Sequence, residues 1–251
     1  MMARLARGWG LLRSLVIYYG LPGRARRDRD FYRQFVQPGA LVFDVGAHVG
    51  NRLRVLRQLG ARVVAVEPQP LFADLLQRLY GRDNQVTLVR EAMGAAAGEA
   101  TLHISRRTPT VTTLSAGWMN AVQRAESFAG VDWEETVTVP VTTLDALITR
   151  HGAPDFCKID IEGSELAALE GLSTALPLLS FEYIPATKEM TLACIQRLQT
   201  LGNYRYNWSV GEEQRLASDV WLNAEETTAR LGQMGINERS GDLYAKRETH
   251  P

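Results

Sequence analysis

Cysteine is scarce: the 251 residues hold two, Cys157 and Cys194, whose separation matches neither a metal-ligand spacing nor a disulfide framework. Both read as small core residues, and a reducing cytoplasm suits them. Histidine is scarce as well. His48, His103, His151 and His250 lie far apart, which leaves no zinc-type cluster. Neither sign of charge is in excess, 28 basic residues standing against 28 acidic ones, so bulk attraction to nucleic acid receives no support. The chain lacks a run of about 20 apolar residues, the length a membrane-spanning helix needs. Met1 to Tyr19 mixes arginines with apolar residues but has no hydrophobic region followed by a small-residue cleavage site, so it does not read as a signal peptide.

What charge there is lies unevenly. Residues 1–33 carry Arg4, Arg7, Arg13, Arg24, Arg26, Arg27, Arg29 and Arg33 against only Asp28 and Asp30. Leu5, Trp9, Leu12, Val16 and Tyr19 recur at steps of three and four, one apolar face of a helix. Residues 1–35 therefore form a basic amphipathic helical extension ahead of a single domain at 36–251. Two uses fit it: peripheral contact with an anionic membrane surface, or docking on the main domain with the arginines in water. The second is the simpler.

Residues 41–90 alternate short apolar runs with helical patterns. Leu41–Val45, Arg62–Glu67 and Gln85–Arg90 read as strands; Leu53 to Leu59 and the stretch from Pro70 to Tyr80 read as helices. Continuous apolar strands in a β-α-β-α-β succession predict a parallel sheet covered on both faces. Further on, Asp155–Ile161, Pro177–Tyr183, Tyr204–Trp208 and Asp242–Lys246 read as strands, with helices over 144–150, 164–172 and 187–201. The expected architecture is α/β, a mostly parallel sheet of about seven strands with helices on both faces. Ala100–Ser105 and Thr136–Val141 are extra strand candidates, and 106–135, with Trp118 and Trp133, reads as a lid on the acceptor side. Tyr204, Tyr206 and Trp208 alternate and read as core in preference to a sugar-stacking platform.

The first strand ends in Asp44-Val45-Gly46-Ala47-His48-Val49-Gly50, a glycine turn into a helix. Gly46 permits a tight turn and close approach of a ligand, and Gly50 permits close packing at the helix start. In an open parallel sheet the ligand crevice lies beyond the strand carboxyl ends, where strand order reverses. Glu67, with Pro68 after it, ends the second strand, and its carboxylate suits the two hydroxyls of a ribose. Glu91 and Ala92 follow the third, where an adenine ring would lie. G-x-G-x-x-G is absent, which disfavours a dinucleotide whose pyrophosphate needs that spacing. Asp44 instead suits the cationic methionine end of S-adenosylmethionine. The cofactor expected from Asp44, Gly46, Ala47, Gly50, Glu67, Pro68, Glu91 and Ala92 is S-adenosyl-L-methionine.

A second dense segment, Lys158-Ile159-Asp160-Ile161-Glu162-Gly163-Ser164-Glu165, ends another strand, and alternation puts Lys158, Asp160 and Glu162 on one side. With the first turn, this segment resembles the FkbM family of methyltransferases, supported by Val141–Asp145, Ala92–Gly98 and Phe181-Glu182. The resemblance spans roughly residues 36–183. It implies a Rossmann-like class I methyltransferase fold and O-methylation of a hydroxyl on a sugar or a polyketide-like natural product. It also implies that Asp44, Gly46, Glu67 and the Glu91–Ala92 region hold the cofactor, with Asp160 and Glu162 facing the reaction centre. His48 departs from the family, which often carries asparagine there.

Methyl transfer from a sulfonium needs alignment and a place for the hydroxyl proton. Asp160 is the preferred base, with Glu162 orienting hydroxyls, Lys158 pairing with either carboxylate, and His48 as a second candidate base. Glu182 is a candidate substrate contact. Asp160 and Glu162 alone are thin support for a magnesium site, so no metal is expected. The expected partner is a small-molecule or glycan acceptor and not nucleic acid. Two rivals remain: a nucleic-acid methyltransferase gripping phosphate through residues 1–33, which salt-dependent RNA or DNA binding would favour, and a non-catalytic methyltransferase-fold binding protein, which cofactor binding without turnover would favour.

Overall fold

The computed structural model describes residues 23–248. The apolar stripe Leu5–Tyr19 and His250 fall outside them, and of residues 1–33, weighed for membrane contact or docking, only 23–33 are described. Arg24–Tyr32 is a helix, α1. There follow β1 (Leu41–Val45), α2 (Asn51–Gln58), β2 (Arg62–Val66), α3 (Pro70–Tyr80) and β3 (Val86–Val89). The middle holds β4 (Ala92–Met93), β5 (Gly98–Ile104), α4 (Ala116–Val122) and β6 (Glu135–Thr142). The chain closes with α5 (Leu144–His151), β7 (Phe156–Ile159), α6 (Glu165–Glu170), β8 (Leu178–Tyr183), α7 (Lys188–Leu201), β9 (Tyr204–Val210), α8 (Ala224–Gly232) and β10 (Gly241–Arg247).

Seven strands form one sheet in the order β3-β2-β1-β7-β8-β10-β9. Only β10 runs against its neighbours. The central parallel strands therefore need the continuous apolar runs seen in the sequence: every residue of β1 and of β7 is buried. Alternation divides their side chains between two cores. Phe43, Val45, Ile159 and Phe181 pack against α5, α6 and α7. Val42, Val63 and Phe156 pack against α1 and α2. Tyr204, Tyr206 and Trp208 are buried among the first set, so they are core.

Helix α1 shares the second core through Phe31 and Tyr32, which pack near Phe156 and Tyr244. Its arginines are not all in water. Arg24 is buried and its guanidinium reaches Glu212 at 2.8 Å; Arg26, Arg27 and Arg33 are exposed.

The two extra strand candidates do not join the main sheet. β5 and β6 pair antiparallel, and β4 adds beside β6, making a separate three-stranded sheet. The third strand of the main sheet ends at Val89, not at Arg90, so Ala92 opens β4. The strand carrying Lys158 also stops early, at Ile159. Asp160 to Glu162 are turn residues, with Glu162 in the left-handed region (φ 51°). Their convergence comes from the turn and not from strand alternation. No helix among the described residues is long and apolar enough to cross a membrane.

Candidate active site

The chain leaves β1 toward β2 on one side and returns through β7 on the other, so strand order reverses between β1 and β7. The two motifs sit at this point, and there they touch. Gly46 takes φ +86°, and a Cβ on it would overlap the carbonyl oxygen of Asp160. Only glycine lets the two turns close on each other.

The first turn is held from β2. The amides of Gly46 and Ala47 both donate to the Val66 carbonyl, at 2.9 and 3.0 Å, and the His48 amide donates to Glu67 Oε2 at 2.8 Å. The Gln69 amide donates to Glu67 Oε1 at 2.8 Å, and the Gly50 amide to the Ala47 carbonyl. Amides bonded within the protein do not form the anion cradle a pyrophosphate requires. The second turn is clamped by Glu165, whose oxygens accept from the amides of Ile161 and Gly163, both at 3.0 Å. The sequence motif includes Glu165 but gives no sign of this clamp.

Two cavities open here. One, about 60 Å³, lies between Val45, Val66, Phe72, Ala92, Met93 and Leu102, with Glu67 and Pro68 at its edge. The other, about 120 Å³, is lined by Asn51, Arg52, Lys158, Glu182 and Glu212. Gly46, His48, Thr110, Asp160 and Glu162 belong to both walls. An apolar chamber and a charged one thus share a five-residue rim.

Of the expected cofactor residues, Gly46, Glu67, Pro68 and Ala92 line the first cavity. Ala47 and Gly50 stand behind its wall. Asp44 also stands behind it, 1% exposed, and accepts from the Leu53 amide at the start of α2, with its Oδ2 unpartnered. Glu91 is a correction: its carboxylate turns away to Arg150, at 3.1 and 3.2 Å, because the strand it was read onto ends two residues earlier. Lys158, Asp160, Glu162, His48 and Glu182 come together at the second cavity. Sequence reading missed Arg52, Glu212 and Thr110, which carry no local motif, and gave no role to Asn51 at the end of the first turn.

Lys158 is 2% exposed and lies between Asp160 Oδ2 (2.9 Å) and Asp242 Oδ1 (3.2 Å). Arg52 is bonded to Glu212 at 2.7 Å and paired with Asp28 at 3.5 Å. Burial pushes Glu212 up, but Arg52 and Arg24 outweigh it and bring the group down to about 2. Burial first, then the charge of Asp160, drives Glu162 well above the ordinary carboxylate range; Glu182 goes the same way, by burial and then Glu162. His48 is pushed down to about 4 by burial, against the pull of Asp160, and its ring meets Phe72 edge-on at 4.0 Å. At neutral pH its imidazole is uncharged. Asp160, Glu162 and Glu182 each bring one oxygen within 4.8 Å of the others. Oxygen donors of this kind suit a divalent ion, and Glu182 adds a third to the two weighed in the sequence.

The chain matches the methyltransferase FkbM domain over residues 44–196. It belongs to the FkbM methyltransferase family. No protein of curated function matches it in sequence. Among solved structures it is similar to a TehB-like SAM-dependent methyltransferase from Corynebacterium glutamicum, at 11% identity over 94% of each chain and a TM-score of 0.48. Precorrin-6y C5,15-methyltransferase from Geobacter metallireducens covers 88% of this chain and 87% of its own at 13% identity, TM-score 0.45. An rRNA methylase from Streptococcus thermophilus covers 88% and 94%, at 13% identity and TM-score 0.43. The FkbM chain has the class I methyltransferase fold, and its cofactor is S-adenosylmethionine.

The residues present fit that cofactor. The chain offers an apolar chamber suited to an aromatic base, a carboxylate at the end of β2 suited to paired hydroxyls, and a turn whose Gly46, Ala47 and His48 amides are already bonded. Burial raises Glu67 and Glu165 to about 7 and Asp44 to about 6. Each then keeps its proton in the folded chain after the unfolded chain has lost it. Stability of the free protein from these groups is full below about pH 4 and declines as pH rises to about 7. Hydroxyl donors on Glu67 favour its carboxylate form, so affinity for S-adenosylhomocysteine should rise several-fold between pH 6 and 8. Calorimetry at both pH values, in two buffers of different ionisation enthalpy, checks this through proton release at pH 6. Equal affinity without proton release would contradict it.

Proposed function

We propose that this methyltransferase moves a methyl group onto a hydroxyl oxygen of an uncharged polyhydroxylated acceptor, a sugar or natural product, held in the second cavity. The observation that carries this reading is the shared rim: Asp160 stands where the apolar and charged chambers meet. S-adenosylmethionine supplies an already activated methyl on a sulfonium, so the protein's part is alignment and proton removal. The Glu67 carboxylate and the apolar wall hold the donor. Asp160, with Oδ2 fixed by Lys158, has Oδ1 left to take the hydroxyl proton. Glu162 and Glu182, raised by burial, are suited to hydrogen-bond neighbouring hydroxyls as neutral acids.

The two cations of the second cavity are already engaged, Lys158 by Asp160 and Asp242, Arg52 by Glu212 and Asp28. That supports an uncharged acceptor over a phosphate-bearing one, and so speaks against nucleic acid. Two buried, unpaired thiols support a cytoplasmic setting.

The test is a panel of glycosides and natural products with S-adenosylmethionine, read as acceptor-dependent S-adenosylhomocysteine. Asp160→Asn should lose roughly 10²–10⁴-fold in turnover while binding S-adenosylhomocysteine normally. Undiminished turnover would remove Asp160 as base and pass the role to His48. A chelator should leave turnover intact; loss restored by magnesium would reassign the carboxylate trio to a metal.

A further inference from the structure

Residues 105–134 lie over the first cavity, contributing Pro109, Thr110, Thr112, Thr113 and Leu114 to its wall. The segment was expected on the acceptor side, yet most of its wall contacts are with the chamber assigned to the cofactor. It is an insertion at the end of the β5–β6 hairpin, whose last pair is Ile104 with Glu135. Arg106 pairs with Glu135 at 3.0 Å at this base. The insertion thus leaves and rejoins the body at one place, as a hinged element does.

Near that base the backbone is also tied to β5, where Thr113 and His103 exchange amide hydrogen bonds at 2.8 and 3.0 Å, and farther out the chief side-chain hold on the body is Trp118. Trp118, 3% exposed, lies against Gly163, where a Cβ would collide with the indole. Around it Val111, Val122 and Ile184 pack, with Phe128 and Trp133 edge-on to the indole. Beyond this seat, Thr113 donates to the Glu162 carbonyl at 2.5 Å and Thr112 to Gln69 Oε1 at 3.0 Å. The indole Nε1 is buried without a partner, so the seat is made by shape and apolar contact, with a donor left unsatisfied. With the segment in this position the chamber holds about 60 Å³, room for a few waters. Pockets for ligands of the cofactor's size run to roughly 300–1,000 Å³.

We propose that residues 105–134 are a hinged cover on the cofactor chamber, latched by Trp118 on Gly163, which lifts to admit and release cofactor. Thr110 moves with the cover and lies on the rim shared with the acceptor cavity, so the cover's position also shapes that rim. This rests on the reading of the first cavity as the cofactor's.

The test uses the full chain and S-adenosylhomocysteine. Rates of association and dissociation are measured for wild type, Trp118→Phe and Trp118→Ala, alongside hydrogen exchange with and without ligand. Trp118→Ala should dissociate about 10-fold faster than wild type, with Trp118→Phe between them. In the free wild type, amides of 106–124 should exchange faster than those of β1 and β7, and saturating ligand should slow them. A folded Trp118→Ala with unchanged rates would overturn the latch. So would cover amides as slow as β1 in the free protein, a readout that stands even if Trp118→Ala fails to fold. Failure of the wild type to bind at all would instead overturn the assignment of the chamber.

Discussion

Replacing Lys158 by methionine should destabilise the protein by about 3–5 kcal/mol, the cost of stranding the buried Asp242 carboxylate that a buried cation had paired. The side chain is 2% exposed and bridges Asp160, in the turn after β7, and Asp242 on β10, two carboxylates that would then face each other across an apolar stem. In a chain of this size that is a fall in Tm of roughly 10 °C. Asp242→Asn, which leaves Lys158 paired with Asp160, should lose less than half as much. The double variant Lys158→Met/Asp242→Asn should lose less than the sum of its parts, because the second change removes a charge the first left stranded. Thermal melts of the four proteins decide it. Additive losses would mean that the three groups are not one ionic unit.

The second large effect is expected at Gly46. Alanine there must hold a left-handed conformation, at about 1–2 kcal/mol, and also displace the Asp160 carbonyl, with overpacking adding about 1–3 kcal/mol. Gly39 separates the two costs. It takes φ +84° but a Cβ on it would meet nothing within 4 Å. Gly39→Ala should therefore cost only the conformational part and bind S-adenosylhomocysteine normally. Gly46→Ala should cost about twice as much and lose ligand binding, since the rim is built on that contact. Equal costs at the two positions would contradict the close approach of the β1 and β7 turns.

The parts of the site legible in sequence were those written locally. Asp44 to Gly50 and Lys158 to Glu165 each lie within a few residues, where an apolar run gives way to glycine, and both fell at the switch point as strand-end logic requires. Glu91 misled because its place was inferred from a strand that ends two residues short of it, after which Ala92 begins a different sheet. The second sheet was hidden because its strand candidates give no sign of which sheet they join. The ionic cluster of Arg24, Asp28, Arg52 and Glu212 was hidden for another reason: its members lie on α1, α2 and the segment after β9, so no window of sequence contains them. Charge read as a solvated arginine face was in part a buried brace, and Arg24 is the residue that shows it. Trp118 carried no signal beyond its size, since its partner is a glycine 45 positions on.

The most direct test is calorimetric titration of the purified chain with S-adenosylhomocysteine, repeated on Glu67→Ala. Glu67 accepts from the His48 and Gln69 amides, and hydrogen bonds from a ligand to a charged group contribute about 1.5–3 kcal/mol each. Saturable binding by the wild type, weakened roughly 10²-fold or more in a folded Glu67→Ala, is the expected result. Absence of binding by the wild type, or equal affinity in the two proteins, would contradict placement of the methyl donor in the chamber beside β2.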